Sequence, residues 1–126
     1  MKNIKKILVP TDFSDTAASA FRFASWFADQ HEAEIELLHI VVPNVEAMDA
    51  PYLAVNTIQQ RLEAAKEIIQ AFTEANLTAV TTAHKLHHAP KVKSNLRIGS
   101  PAHLITEVTN EENVDLVIMG TQGEHS

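Results

Sequence analysis

The stretch Val114-Asp-Leu-Val-Ile-Met-Gly-Thr-Gln-Gly123 is a short, dense apolar run that stops at one glycine and meets a second three residues later. Apolar runs of this length with β-branched residues mark strands buried on both faces, the kind found inside parallel sheets. A glycine at the end of such a strand lets the backbone turn tightly and lets a ligand approach its amides with no side chain in the way. In open parallel sheets, ligands sit beyond the carboxyl ends of the strands. The run predicts a strand over Val114–Met119, and Gly120 and Gly123 are the first place to look for a binding site.

Two further runs match this pattern: Ile7-Leu-Val9, closed by Pro10-Thr-Asp12, and Ile35–Val42, apolar apart from Glu36 and His39. Between them, Ser14 or Asp15 can cap a helix whose apolar face carries Ala17, Phe21, Ala24 and Ala28, widened by Phe23 and Phe27. Pro43 to about Asn56 reads as a loop, and Ile58, Leu62, Ala65, Ile69 and Phe72 predict an amphipathic helix from Thr57 to about Ala75. Asn76–Pro90 fits two ways: Ala79, Val80, Ala83 and Leu86 suit a helix, while the Thr-rich Thr78–Thr82 suits an extended strand. Val92, Ser94, Leu96 and Ile98 alternate with polar neighbours, as in an edge strand, and Gly99 ends the run. Ser100-Pro101 then starts a helix with Leu104, Ile105 and Val108 facing inward and its end at Asn110–Asn113. Strands alternating with helices must lie parallel, and right-handed crossovers give an α/β, doubly wound sheet with helices on both faces. The expectation is one such domain over residues 1–126.

Composition narrows the function classes. The 126 residues contain no cysteine, which excludes disulfides and thiol chemistry, and a net charge of -6 argues against a cationic nucleic-acid surface. No run is long enough to span a bilayer or to serve as a signal peptide, so a cytoplasmic protein without membrane partners is expected.

Each candidate site residue has a structural reading beside the functional one. Asp12 follows a central strand on the same rim as Gly120, where it can accept hydrogen bonds from a ligand hydroxyl or amine, or simply form an Asx-turn or cap the next helix. Gly99-Ser100-Pro101 is either a helix start able to meet an anion or an ordinary tight connection. His84, His87 and His88 crowd one segment, but no cysteine or carboxylate lies between Ala83 and Arg97, and surface histidines are the favoured reading over a metal site. His39 is expected to be a satisfied core histidine, and His103 falls in the first turn of its helix. No Gly-x-Ser-x-Gly turn exists, and no acid, base and nucleophile converge, so a binding module is expected rather than an enzyme.

Taken together, Ile7-Leu-Val-Pro-Thr-Asp-Phe-Ser14, Leu37-Leu-His-Ile-Val41, Gly99-Ser-Pro101 and Asp115-Leu-Val-Ile-Met-Gly-Thr-Gln-Gly123 resemble the universal stress protein family. The resemblance covers almost the whole chain outside about 76–91. It implies a stress-response module that binds ATP or adenosine, with strand order 3-2-1-4-5 and frequent dimerisation. Asp12, with Pro10 and Thr11 before it, matches the acid that reaches the ligand. The backbone that meets adenine maps to Ile40 or Val41. Gly99 matches another loop of the rim. Met119, Gly120 and Gly123 match the first half of a Gly-x2-Gly-x9-Gly-[Ser/Thr] loop whose amides and final hydroxyl hold phosphates. The sequence as given stops at Ser126, before that loop's second half and before a fifth strand, so the order expected here is 3-2-1-4. Adenosine-side contacts are expected more strongly than triphosphate contacts, and Glu124 would repel a phosphate it faced. An edge left by Val114–Met119 would favour self-association, as a homodimer or with a second domain of the same kind. The alternative is a non-nucleotide dimerisation or interaction domain of the same fold. A phosphoacceptor receiver shares the layout but wants acidic residues that Thr11-Asp12 and Gly99-Ser100 do not supply.

Overall fold

The computed structural model describes residues 3–43, 51–84 and 86–120. Its elements run β1 (Lys6–Pro10), α1 (Asp15–His31), β2 (Glu34–Val41), α2 (Pro51–His84), β3 (Val92–Ile98), α3 (Pro101–Glu111) and β4 (Leu116–Val117). The strands form one parallel sheet in the order β3-β2-β1-β4, as expected. β1 lies against β2 with Ile7 opposite Ile35 and Val9 opposite Leu37, and against β4 with Leu8 opposite Val117.

Alternation along the central strands divides the core into two layers. Ile7, Val9, Ile35 and Leu37 face α1 and α2, where Phe21, Ala24, Ala28 and Ile69 close over them. Leu8 and Leu38 face the other way and meet Val108 of α3, with Ile40, Ile105, Val114 and Val117 packed around them. Glu36 shares that second face and is fully buried. Asn95 Nδ2 donates to its Oε2 at 2.7 Å, and the Lys93 ammonium stands 4.0 Å from its Oε1. The amide replaces water at Oε2, whereas Oε1 is buried without a hydrogen-bond partner and has only the nearby ammonium charge to offset its desolvation.

Two elements differ from expectation. The second helix is not confined to 57–75 but spans Pro51–His84, so the expected loop is shortened at its end and the doubtful 76–84 is helical. Proline is tolerated at the first helical position, where its missing N–H has no intrahelical partner in any case. Farther along, packing against α1 overrides the weak helix propensity of the threonines. Asn76 takes a hydrogen bond from Arg22 Nη1 at 2.8 Å and returns one to the Phe72 carbonyl at 2.8 Å, while Val80 is buried four residues on.

The second difference is β4, regular only over Leu116–Val117 and half-buried rather than enclosed on both faces. The Asp115 N–H donates to the Lys6 carbonyl and the Ile118 N–H to the Leu8 carbonyl, so β1 holds both ends of the short strand. Among the described residues no strand pairs with its far side. No helix there is long and apolar enough to cross a membrane.

Candidate functional site

The turn after β1 is built from side-chain oxygens that catch the backbone just ahead of them. Ladder pairing continues one residue past β1, where the Thr11 N–H donates to the Leu38 carbonyl at 2.8 Å. Thr11 Oγ1 then accepts from the Phe13 N–H at 3.0 Å, and Asp12 Oδ1 accepts from the Ser14 N–H at 3.0 Å. Ser14 is the N-cap of α1, accepting from the Ala17 N–H at 3.1 Å. Phe13 bridges these turns with φ at +66°, a left-handed conformation that a bulky side chain adopts only when its surroundings hold it there. What holds it is a tilted ring contact with His39, centroids 4.3 Å apart, and an edge contact with Phe72 at 5.4 Å.

Asp12 thus forms the Asx-turn of the structural reading and sits exposed on the rim. Hydrogen bonds from Ser14 keep its carboxyl below the ordinary aspartate value, with a smaller contribution from the charge of His39, so it is an anion at neutral pH.

Beyond the carboxyl ends of the strands lies a cavity of about 340 Å³. The β1 turn contributes Pro10, Thr11 and Asp12, and the end of β2 contributes Leu38, His39, Ile40 and Val42. Pro101 and Ile105 of α3 form one wall, Thr16 and Ala17 of α1 another, and Met119 with Gly120 completes the rim after β4. Asp12, Ile40 and Gly120 therefore share one mouth, as do Pro10, Thr11 and Met119. Val41 and Gly99 do not line it. The Val41 side chain is buried and its carbonyl accepts from the Gly99 N–H at 3.1 Å, which ties the end of β2 to the end of β3. Gly123 lies outside the described residues.

Gly120 has a role beyond leaving amides accessible. A Cβ there would stand 2.7 Å from both the Thr16 carbonyl oxygen and Thr16 Cγ2, so only glycine lets the segment after β4 lie against the first turn of α1. Gly99 does adopt a positive φ of +146°. Ser100 occupies the N-cap of α3 with Pro101 following, but its side chain makes no capping hydrogen bond.

His39 is the site residue that sequence reasoning misplaced. It is half-buried at the cavity rather than enclosed in the core, and its Nδ1 lies 2.8 Å from the Thr11 carbonyl oxygen. A carbonyl only accepts, so Nδ1 carries the proton. The signal available beforehand was its place near the carboxyl end of β2, beside Ile40.

A larger depression of about 800 Å³ lies at the amino end of the sheet, between residues such as Lys6, Asp29, Glu34, Lys91 and Asp115. Its charged groups already hold the chain together. Asp115 Oδ2 accepts from the Lys5 and Lys6 N–H groups at 2.8 and 3.1 Å, and Lys6 Nζ lies 3.5 Å from Glu34 and 3.6 Å from Glu112. Asp29 accepts from the His87 and His88 N–H groups at 3.0 and 2.9 Å. Burial pushes the Asp29 carboxyl up, but those two donors outweigh it and hold the group below its ordinary value. His87 and His88 thus reach a carboxylate from α1 through their backbone, and among the described residues no group of three ligands could hold a metal. His103 pairs with Glu107 at 3.2 Å on an exposed face of α3.

Size alone would favour the amino end, but chemistry favours the carboxyl end, where an anion, an imidazole and apolar walls surround space for a ligand.

Comparison with known proteins agrees with this architecture. Universal stress protein MJ0577 of Methanocaldococcus jannaschii is 31% identical over 126 residues, covering 95% of this chain and 78% of its own length. Its solved structure has a TM-score of 0.77 at 28% identity and covers 99% of this chain and 80% of that one. Universal stress protein UspA of Lactobacillus plantarum gives a TM-score of 0.75 at 25% identity, covering 99% of this chain and 84% of that one. A universal stress protein solved in complex with cAMP shares the fold, with a TM-score of 0.59 at 19% identity over 92% of this chain and 71% of its own. Residues 3–126 match the Universal stress protein family, and the chain belongs to it.

Proposed function

We propose that this chain is a nucleotide-binding regulatory module of the stress response, taking the adenosine end of its ligand in the cavity beyond β1, β2 and β4. The observation that carries this reading is the convergence of Asp12, Ile40 and Gly120 on one mouth. Its volume of about 340 Å³ falls at the lower end of ordinary small-molecule sites, which run from roughly 300 to 1,000 Å³.

Each wall suits one part of a nucleoside. Asp12, ionised and exposed, can accept hydrogen bonds from ribose hydroxyls, and charge-assisted bonds of this kind are the stronger ones. Ile40, Val42, Pro101 and Ile105 offer apolar surface to a planar base. Met119 and Gly120, which match the start of the family's phosphate loop, close the rim of the same cavity. The reading favours binding and regulation over turnover, with ATP as the physiological form of the ligand and dimerisation as the partner mode.

Calorimetric titration of the chain with adenosine and with ATP tests it. Saturable heat with adenosine, abolished by filling the cavity through Ile105→Trp, is the expected result. Absence of heat and of any thermal shift with both ligands would overturn the reading.

A further inference from the structure

Within that nucleotide reading, on which this inference rests, we propose that His39 sets the charge preference of the cavity: its neutral imidazole suits an uncharged nucleoside, and its imidazolium favours a ligand carrying phosphate.

Three observations meet at this side chain. First, Asp12 and His39 are the only titratable residues lining the cavity among the described residues. With Asp12 an anion at neutral pH, the cavity carries one negative charge when the imidazole is neutral and none when it is protonated. Second, the hydrogen bond from Nδ1 to the Thr11 carbonyl leaves Nε2 as the nitrogen that gains or loses the proton. Titration therefore changes charge without breaking the bond that fixes the β1 turn. Third, the ring is held against Phe13, the left-handed residue between Asp12 and the cap of α1, so the imidazole and the carboxylate keep a fixed relation.

Charged side chains stand on the neighbouring elements as well. Toward the carboxyl ends of the strands they include Asp12 on the turn, Asp15 in the first turn of α1, Arg61 of α2 and Arg97 of β3. Arg61 donates to the Val42 carbonyl at 2.7 Å, and Arg97 donates to Asn95 and pairs with Glu111 at 3.1 Å. Imidazole is the side chain whose ordinary titration lies between pH 5 and 8. A unit charge within several ångströms of a phosphate in a partly wet site changes affinity by about fivefold at low salt.

His39 also positions Asp12 through the Thr11 carbonyl, and two substitutions separate the roles. His39→Asn keeps a donor for that carbonyl and removes the titration, whereas His39→Leu removes both. The probes are adenosine, which is uncharged, and cAMP, whose phosphodiester keeps a single charge throughout the range. Affinities are measured by calorimetry at low salt from pH 5.5 to 8.5.

The ratio of cAMP affinity to adenosine affinity is expected to rise about fivefold from the highest pH to the lowest in the unaltered chain. It should stay flat in His39→Asn, and His39→Leu should weaken both ligands alike at every pH. A flat ratio in the unaltered chain, or the same rise in His39→Asn, would overturn the inference and leave the nucleotide reading standing. Binding of adenosine with cAMP excluded at all pH values would do the same. No heat with either ligand at any pH would overturn both.

Discussion

At the amino end of the sheet, Asp29, Asp115 and Glu112 join one part of the backbone or one element to another; at the carboxyl end, Asp12 stands beside a cavity with mostly apolar walls. Both ends are rich in polar residues, and the amino-end depression is the larger of the two. The difference lies in how the charges are used. Lys6 and Lys93 converge on Glu112 at 3.6 and 3.2 Å, and Asp29 gathers two successive backbone donors, so these groups are engaged before any ligand arrives. Hydrogen bonding from Lys93 holds Glu112 below its ordinary value and raises Lys93 in return, as expected of a pair that stabilises itself. At the other end, the turn that immobilises Asp12 uses the backbone amides of Phe13, Ser14 and Ala17 and leaves the carboxylate at the rim. Fixing a group without enclosing it is what a binding site requires.

Substitutions at the two ends should therefore separate binding from folding, and the largest effect is expected where the two meet. Gly120→Val places a branched side chain where even a Cβ would stand 2.7 Å from the backbone carbonyl of Thr16. The strand-end segment must lift off α1, at a cost of about 2–3 kcal/mol in stability by chemical denaturation. Adenosine affinity should fall more than about tenfold at the same time, because the rim moves with the segment. A stable variant with unchanged affinity would show that Gly120 does not shape the cavity.

Asp12→Asn should affect binding alone. The asparagine retains an oxygen to accept from the Ser14 N–H, so the turn survives and stability should change by less than about 0.5 kcal/mol. The negative charge is lost, and adenosine affinity should weaken about tenfold, the usual value of a hydrogen bond to a charged acceptor. Titration calorimetry beside a urea melt checks both halves, and equal losses in each would erase the contrast between the two ends.

Much of this contrast is legible in the sequence, and the gaps have physical causes. Ile7–Val9, Ile35–Val41 and Val92–Ile98 declare themselves through apolar runs and alternation, and strand-helix alternation fixes their parallel order. Ser14 and Ser100-Pro101 mark their helix starts correctly because the signals are local: a side-chain cap at Ser14, and a proline suited to the first helical position at Pro101. The reach of α2 is not local: Thr78–Thr82 has no strong preference of its own, and contacts with α1 such as Arg22 to Asn76 decide it. β4 reads as a long buried strand from its composition, yet a strand is only as regular as its neighbours allow. The site shows the same division. Asp12 and Gly120 are visible as strand-end residues, but the fit of Gly120 against Thr16 and the placement of His39 under Phe13 join residues far apart in the chain.

The smallest effect on ligand binding is expected at Asp29, and its pH dependence gives it a signature of its own. Its carboxyl titrates below the ordinary aspartate value in the folded chain, because the His87 and His88 N–H donors outweigh the opposing effect of burial. A depressed folded value means that the ionised group contributes stability above the unfolded pKa of about 3.9. That contribution is lost as pH falls through the folded value. Asp29→Asn keeps one acceptor oxygen but cannot ionise, so the unaltered chain should be the more stable at neutral pH, with an advantage that shrinks below about pH 4. Adenosine affinity should be the same in both, since Asp29 lies at the amino end with the Asp115 depression and not with Asp12. Thermal melts from pH 2.5 to 7 measure the first expectation and calorimetry the second. An advantage that persists undiminished to the lowest pH would place the stabilisation in the side chain's shape instead of its charge, and a weakened affinity would show the two ends of the sheet to be coupled.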